Sequence, residues 1–294
     1  MLTATGRPLL TYAALAALVL IWGSTWAAIR VSLEGIPPLT GVVLRFTLAC
    51  LVLLALAPVF RVRLGATSIE RRLWWVNAVL TFTVSYGLVY WAEQWVPSGL
   101  AAVIFATFPL FVAVLAHFFL PGERLRTASF LGVLTGFVGV AVLYSEDLGA
   151  LVGPQAGFAA KVMLIAPVVS AMANVAVKRW GAGVHPFSIS GVSMGLGALL
   201  VVPLAWSMER GREITFGARP VLAVVYLAVI GSAVAFTVYY WLLRRLPATR
   251  LSLINYATPV VAVLIGTLGL GEPFTLRILI GTGLVVVGVA ISMR

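Results

Sequence analysis

Charge is what this sequence has least of. Asp, Glu, Lys and Arg make up 10% of its 294 residues, against roughly 25% in an average soluble domain. With 62% hydrophobic residues and a mean hydropathy of +1.08, the composition excludes an ordinary soluble protein and is that of an integral membrane protein. The single cysteine, Cys50, excludes an internal disulfide framework and any multi-cysteine metal site. It lies in an apolar run and reads as a small packing residue. Acidic residues number nine, and none falls in the middle of an apolar run: Glu34, Glu70, Glu93, Glu123, Glu146, Asp147, Glu209, Glu213 and Glu272 stand at run ends or in loops. Both histidines, His117 and His185, are peripheral. Proton coupling through a carboxylate embedded in a span is therefore not expected, Glu93 beside Gln94 being the reservation.

The basic excess, a net charge of +11, does not point to nucleic acid. The arginines and lysines sit singly or in pairs between apolar runs and form no continuous patch. Charge-poor runs long enough to cross a bilayer, about 20 residues each, occur near Leu9–Ile29, Leu39–Phe60, Leu73–Ala92, Val96–Leu120, Ala128–Tyr144, Phe158–Val177, Phe187–Met208, Val221–Leu243, Leu251–Leu270 and Ile278–Met293. The first follows Arg7 but is too long for a signal peptide and ends in a tryptophan-rich segment, so it reads as a retained span. The expected fold is an all-α integral membrane protein of ten transmembrane helices. With both termini inside, the outer loops hold Arg30, Lys161, Arg210, Arg212, Arg219 and Arg277, Arg45 is within a span, and the other thirteen of the twenty basic residues are inner. That asymmetry predicts both termini in the cytoplasm.

The chain also repeats itself. Tyr90-Trp91 and Val96-Pro97 recur 150 residues later as Tyr240-Trp241 and Leu246-Pro247, and Phe108-Pro109 as Thr258-Pro259. Gly122-Glu123, Gly132 and Gly139 recur 149 residues later as Gly271-Glu272, Gly281 and Gly288, while Arg30 and Pro38 fall on Lys178 and Pro186 at an offset of 148. Five helices per repeat is odd, so the second copy enters the membrane from the opposite side. Residues 1–147 and 148–294 are thus expected to form two inverted-topology repeats, with a substrate site near the midplane between them.

Several helix faces carry side chains too polar for lipid. Trp22, Trp26 and Arg30 share one face by their spacing of four, with Ser24 and Thr25 nearby. The third run repeats Thr83, Tyr86, Tyr90 and Gln94. The sixth aligns Ser170, Asn174 and Lys178, and the eighth brings Ser232, Phe236 and Tyr240. The ninth brings Ser252, Asn255, Tyr256 and Pro259, and the fourth Phe105, Thr107 and Pro109. Substrate contact is expected at Trp22, Thr25, Trp26, Tyr86, Tyr90, Gln94, Ser170, Asn174, Tyr240, Asn255 and Tyr256, although Trp26 and Tyr90 also suit an interfacial belt, and Asn174 and Asn255 interhelical hydrogen bonding. Trp74, Trp75, Trp95, Trp180 and Trp206 read as belt residues. Arg45, the one charge inside a run, binds either a substrate carboxylate or backbone carbonyls and Glu34. Pro109 and Pro259 each free a carbonyl one turn earlier and suit a kink or gate. Glu123 and Glu272 read as stabilising the N-termini of the helices that follow them.

The segment Trp22-Gly23-Ser24-Thr25-Trp26, Arg30, Pro37 and Leu44-Arg45-Phe46 resembles the opening of the EamA-type branch of the drug/metabolite transporter superfamily. Gly122-Glu123-Arg124-Leu125 with Gly132 and Gly139-Val140 resembles the close of each family repeat, and Gly271-Glu272, Gly281 and Gly288-Val289 repeat it. The second half departs from the opening pattern, with Ser170, Met172 and Asn174 in place of Trp22, Ser24 and Trp26. The resemblance spans essentially the whole chain and is strongest to bacterial amino acid exporters of the branch. It implies a cavity walled by the first, third, fourth, sixth, eighth and ninth helices in the bacterial inner membrane. It also implies alternating-access export of amino acids, aromatic or large neutral, with no cofactor or metal and with lipid and a small molecule as partners. A monomer suffices for that reading. Aromatic walls suit a lipophilic cation equally, so a multidrug exporter is the alternative. A lipid-modifying membrane enzyme would need clustered acid, base or metal-binding groups, which this sequence does not supply, and a channel would need a ring of repeated selectivity groups.

Overall fold

Each predicted apolar run is helical over most of its described residues in the computed structural model, which describes residues 8–143, 145, 153–269 and 275–292. Among the described residues there is no strand. In chain order the helices are α1 (Pro8–Ser32), α2 (Pro38–Leu56), α3 (Ser68–Ala92), α4 (Ser98–Phe119), α5 (Thr127–Leu143), α6 (Pro154–Trp180), α7 (Pro186–Glu209), α8 (Ala218–Leu243), α9 (Ala248–Ser252), α10 (Ile254–Gly269) and α11 (Leu276–Ser292). Seven of them, α1 to α4 and α6 to α8, are long and apolar enough to cross a membrane, and α5 and α11 are shorter apolar helices. The expected division at 147/148, and Arg7, Tyr144, Glu146, Asp147, Gly271, Glu272 and Arg294, lie outside the described residues.

Local chemistry sets the helix starts. Pro38, Pro154 and Pro186 occupy first-turn positions, where the missing N–H costs no hydrogen bond. Thr67 caps α3 by accepting from Glu70 N at 3.1 Å, and His185 caps α7 by accepting from Phe187 N at 3.2 Å. Large apolar side chains, Leu51, Phe118, Leu199, Trp206 and Leu222 among them, remain more than half exposed on the helix bundle, as a lipid-facing surface requires. Trp75 and Trp180 share that outer surface, whereas Trp74 donates to Ser188 at 2.9 Å and Trp95 packs on Trp91.

Helices that match in the repeated sequence pack against each other: α2 along α7, and α5 along α11. The second pair meets through glycine. A Cβ on Gly139 would lie 2.8 Å from the Gly281 carbonyl, and one on Gly281 would lie 2.8 Å from the Gly139 carbonyl, so neither position has room for a side chain. Both α3 and α8 contain a widened π-helical stretch, Ala78–Ser85 and Val229–Val234, at matching places in the repeat. Arg30 donates to the Glu93 carbonyl at 2.6 Å just past the end of α3, and Lys178 donates to the Leu243 and Leu246 carbonyls at 2.8 Å around the end of α8. A cation therefore closes the C-terminus of each helix, where unsatisfied carbonyls concentrate negative charge.

Glu123 does not stabilise the helix that follows it. It accepts from Ala248 N, Thr249 N and Thr249 Oγ1 at 2.9–3.0 Å, so it caps α9 across the bundle. Glu209 serves α2 in the same way, accepting from Leu39 N, Thr40 N and Thr40 Oγ1 at 2.7–2.8 Å. Sequence proximity suggested a local cap, but an N-terminus donates to whichever carboxylate the fold brings to it.

Candidate binding cavity

Between these helices lies a cavity of about 800 Å³ of atom-free space, its open mouth included. Its walls come from α1 (Trp22, Thr25, Trp26, Ile29), α2 (Arg45), α3 (Thr81, Ser85, Tyr86, Val89), α4 (Phe105, Phe108), α6 (Ser170, Asn174), α8 (Phe236, Tyr239, Tyr240) and α10 (Asn255, Thr258). Eight of these eighteen residues are aromatic. Trp22 lies 5.5 Å from Phe236 and 5.2 Å from Tyr239 between ring centres, Tyr86 lies 6.0 Å from Phe236, and Trp26 packs edge-on against Phe105 at 5.9 Å.

Of the described residues that line the cavity, Arg45 carries the one formal charge. Its side chain is 1% exposed and held from three sides: Nε donates to Ser232 Oγ at 2.7 Å, Nη1 to Tyr90 Oη and Nη2 to the Gly231 carbonyl, both at 3.3 Å. The guanidinium carbon is 4.9 Å from the Tyr86 ring centre, a cation–π distance. Arginine at a helix centre costs about 2.5–3.5 kcal/mol on insertion scales. Hydroxyl, carbonyl and ring partners offset that cost without neutralising the charge. Glu34 is not its partner, because Glu34 pairs with Arg219 at 3.4 Å.

Two residues of the wall carry a buried polar atom that has no hydrogen-bond partner among the described residues, the indole Nε1 of Trp22 and the amide Oδ1 of Asn174. The Asn174 amide nitrogen does have one, donating to the Tyr239 hydroxyl. A buried polar atom without a partner costs about 1–3 kcal/mol. The residues of the wall therefore include a buried cation, an unpartnered N–H donor and an unpartnered carbonyl acceptor among aromatic rings, a set that suits a small molecule with an anionic group, an apolar body and a further polar group.

Of the residues expected at the site, Trp22, Thr25, Trp26, Tyr86, Ser170, Asn174, Tyr240 and Asn255 come together here, with Arg45. Tyr90, Gln94 and Tyr256 do not line the cavity. The π-helical stretch changes the helical phase of α3, so Thr81 and Ser85 face inward while Thr83 donates outward to the Gly197 carbonyl at 3.4 Å. One turn on, Tyr90 is fully buried against Gly41 and Arg45. Gln94 lies beyond the end of α3, donating to the Trp91 carbonyl and accepting from Arg212, both at 2.9 Å. Tyr256 turns toward α5 and donates to the Val133 carbonyl at 2.8 Å. The lining residues that sequence reasoning missed are Tyr239, Thr81, Ser85, Phe108, Thr258, Ile29 and Val89. Phe108 and Thr258 were the ones with a visible signal, since they stand at matched positions of the repeat just before Pro109 and Pro259.

Pro109 stands in the first turn after a break in α4 at Ala106–Thr107, whereas Pro259 lies inside α10, the chain having broken earlier at Leu253. His117 accepts from Leu125 N at 3.1 Å. No group of three or more His, Cys, Asp or Glu able to hold a metal is found among the described residues.

The sequence profile of the EamA-like transporter family matches the chain twice, over residues 9–145 and 157–294. The chain is 35% identical over 272 residues to the uncharacterized inner membrane transporter YedA of Escherichia coli (strain K12), covering 88% of this chain and 82% of that one. It is 30% identical over 288 residues to a probable terminal-alkyne amino-acid exporter of Streptantibioticus cattleyicolor, covering 96% and 92%. A solved crystal structure shares its fold with a TM-score of 0.79 at 22% identity, over 96% of each chain.

Proposed function

The chain belongs to the EamA-like transporter family, and from that premise we propose that it exports amino acids, aromatic or large neutral ones, and related small metabolites from the bacterial cytoplasm by alternating access. The observation that carries this reading is Arg45, a buried cation without a carboxylate partner among the described residues, in the wall of an aromatic cavity. A substrate carboxylate supplies the missing anion through charge-assisted hydrogen bonds. The rings cover an apolar side chain, and the Asn174 oxygen and Trp22 nitrogen meet further polar groups. The same cation disfavours a lipophilic cation in the cavity, which weighs against a multidrug exporter. The family and its relatives are transporters, which sets aside the membrane-enzyme alternative.

In this reading α9 and α10 form one interrupted span, giving ten spans arranged as two five-helix repeats, 1–147 and 148–294, of opposite topology. Both termini are cytoplasmic. Support comes from the matched cation caps of α3 and α8, the matched π-helical stretches and the pairing of α2 with α7 and α5 with α11. Pro109 and Pro259 are the proposed hinge points, and one chain suffices for the cavity.

Counterflow in proteoliposomes tests the reading, using labelled amino acids and tetraphenylphosphonium. Saturable exchange of large neutral amino acids, weakened in Asn174→Ala, is expected. Exchange of tetraphenylphosphonium alone would replace the reading with the multidrug one.

A further inference from the structure

Glu93 stands one residue past the apolar span Ser68–Ala92 and is 0% exposed. Its Oε2 accepts from Ser98 Oγ at 3.3 Å, and its Oε1 has no hydrogen-bond partner among the described residues. Glu123 and Glu209, by contrast, each accept three hydrogen bonds at a helix start. Glu93 has no such structural duty. The charged and titratable groups around it come from several elements. Arg30 of α1 binds its main-chain oxygen at 2.6 Å, not its carboxylate. Arg45 of α2 acts on it electrostatically, as Arg30 does. Tyr90 lies one turn back on α3 and holds Arg45. Arg212 is engaged by Gln94, and Lys161, on the segment of α6 packed against this end of α3, is exposed. Among the described residues, no lysine or arginine forms an ion pair with the Glu93 carboxylate.

We propose that Glu93 is a proton-binding site linked to the cavity, taking up a proton from solvent when a substrate carboxylate occupies Arg45. The inference rests on the reading that such a carboxylate binds there. The reason is electrostatic. The field of Arg45 favours the ionised form of Glu93, and a carboxylate seated on Arg45 cancels that field. Glu93 is then a buried anion with less compensation, and the carboxylate becomes the carboxylic acid, whose new O–H has the unpartnered Oε1 as its place. By reciprocity, a proton on Glu93 strengthens substrate binding by the same factor.

The sign and range follow. Burial pushes the Glu93 carboxyl up to about 8, against the opposing effects of Ser98, Arg30 and Arg45. Losing the contribution of Arg45 raises it further in the bound state. Affinity is therefore full well below pH 8 and falls as pH rises through that value, while substrate binding near pH 8 consumes protons.

Isothermal titration of the purified full chain with L-phenylalanine, whose side chain does not titrate, tests this between pH 6.5 and 8.5 in two buffers of different ionisation enthalpy. The wild type should take up a fraction of a proton near pH 8 and lose affinity by about two- to fourfold across the range. Glu93→Gln, which keeps the contact with Ser98, should take up only the small share owed to the ligand's own ammonium and bind at every pH nearly as the wild type does at pH 6.5. Proton uptake absent in the wild type, or unchanged in Glu93→Gln, overturns the proposal. Failure of L-phenylalanine to bind at any pH removes instead the amino-acid reading beneath it, and the inference goes with it.

Discussion

Arg45 on α2 donates from Nε to the Oγ of Ser232 on α8 at 2.7 Å, and this bond joins the two halves of the chain at the cavity wall. Ser232 belongs to the widened stretch of α8, where the neighbouring Gly231 carbonyl also accepts from Arg45. A helix irregularity in one half thus seats the cation contributed by the other. Gly231 also lets α1 come close: a Cβ there would come within 2.9 Å of Thr25 Cγ2.

Replacing the cation should remove substrate binding before it removes the fold. Arg45→Gln retains donors for Ser232 and Gly231 but lacks the charge. Loss of a charge-assisted hydrogen bond worth about 1.5–3 kcal/mol predicts a fall in amino-acid affinity of roughly 10- to 100-fold. Arg45→Lys should recover part of it. Binding titrations beside thermal melts in detergent check both, and an unchanged dissociation constant in Arg45→Gln would count against a role in carboxylate binding.

The two glycine contacts between α5 and α11 make a stability prediction. Gly139→Leu has backbone on its open side at under 3 Å and must separate the helices, a strain of about 1–3 kcal/mol by analogy with overpacked cores. Gly283→Ala, also on α11, meets nothing within 4 Å and should melt like the wild type. Thermal melts of the pair compare a contact glycine with a neutral one.

Glu209 and Glu123 should behave as long-range helix caps. Glu209→Ala leaves Leu39 N and Thr40 N without their acceptor, and Glu123→Ala does the same to Ala248 N and Thr249 N. Each is expected to cost about 1–2 kcal/mol, the upper range of N-cap removals. Hydrogen exchange should localise the loss to the start of α2 in the first case and of α9 in the second. Exchange that rises around the mutated residue alone would identify the carboxylate as a local contact.

Much of this was legible beforehand for identifiable reasons. Bilayer thickness dictates run length, so apolar runs of about 20 residues mark the helices without tertiary information. The repeat was visible in Tyr90-Trp91 and Tyr240-Trp241 because duplicated packing positions keep similar residues. Trp22, Thr25 and Trp26 could be assigned to the cavity since α1 runs unbroken from Pro8 to Ser32 and the 3.6-residue period holds across it. On α3 the same rule extrapolated through a widened stretch and past the helix end, which is why Tyr90 and Gln94 were expected where Thr81, Ser85 and Val89 stand.

By itself, then, the sequence determined the class of solvent, the helices and the chemistry available between them, since these depend on composition and on spacings of a few residues. Tertiary structure alone decided that Thr81, Ser85 and Val89 line the cavity where Tyr90 does not, which helix start each glutamate caps, and that Arg45 is held by hydroxyl, carbonyl and aromatic groups instead of by Glu34. These choices depend on helix phase and on partners up to 187 residues apart in sequence, and no local rule carries information over that distance.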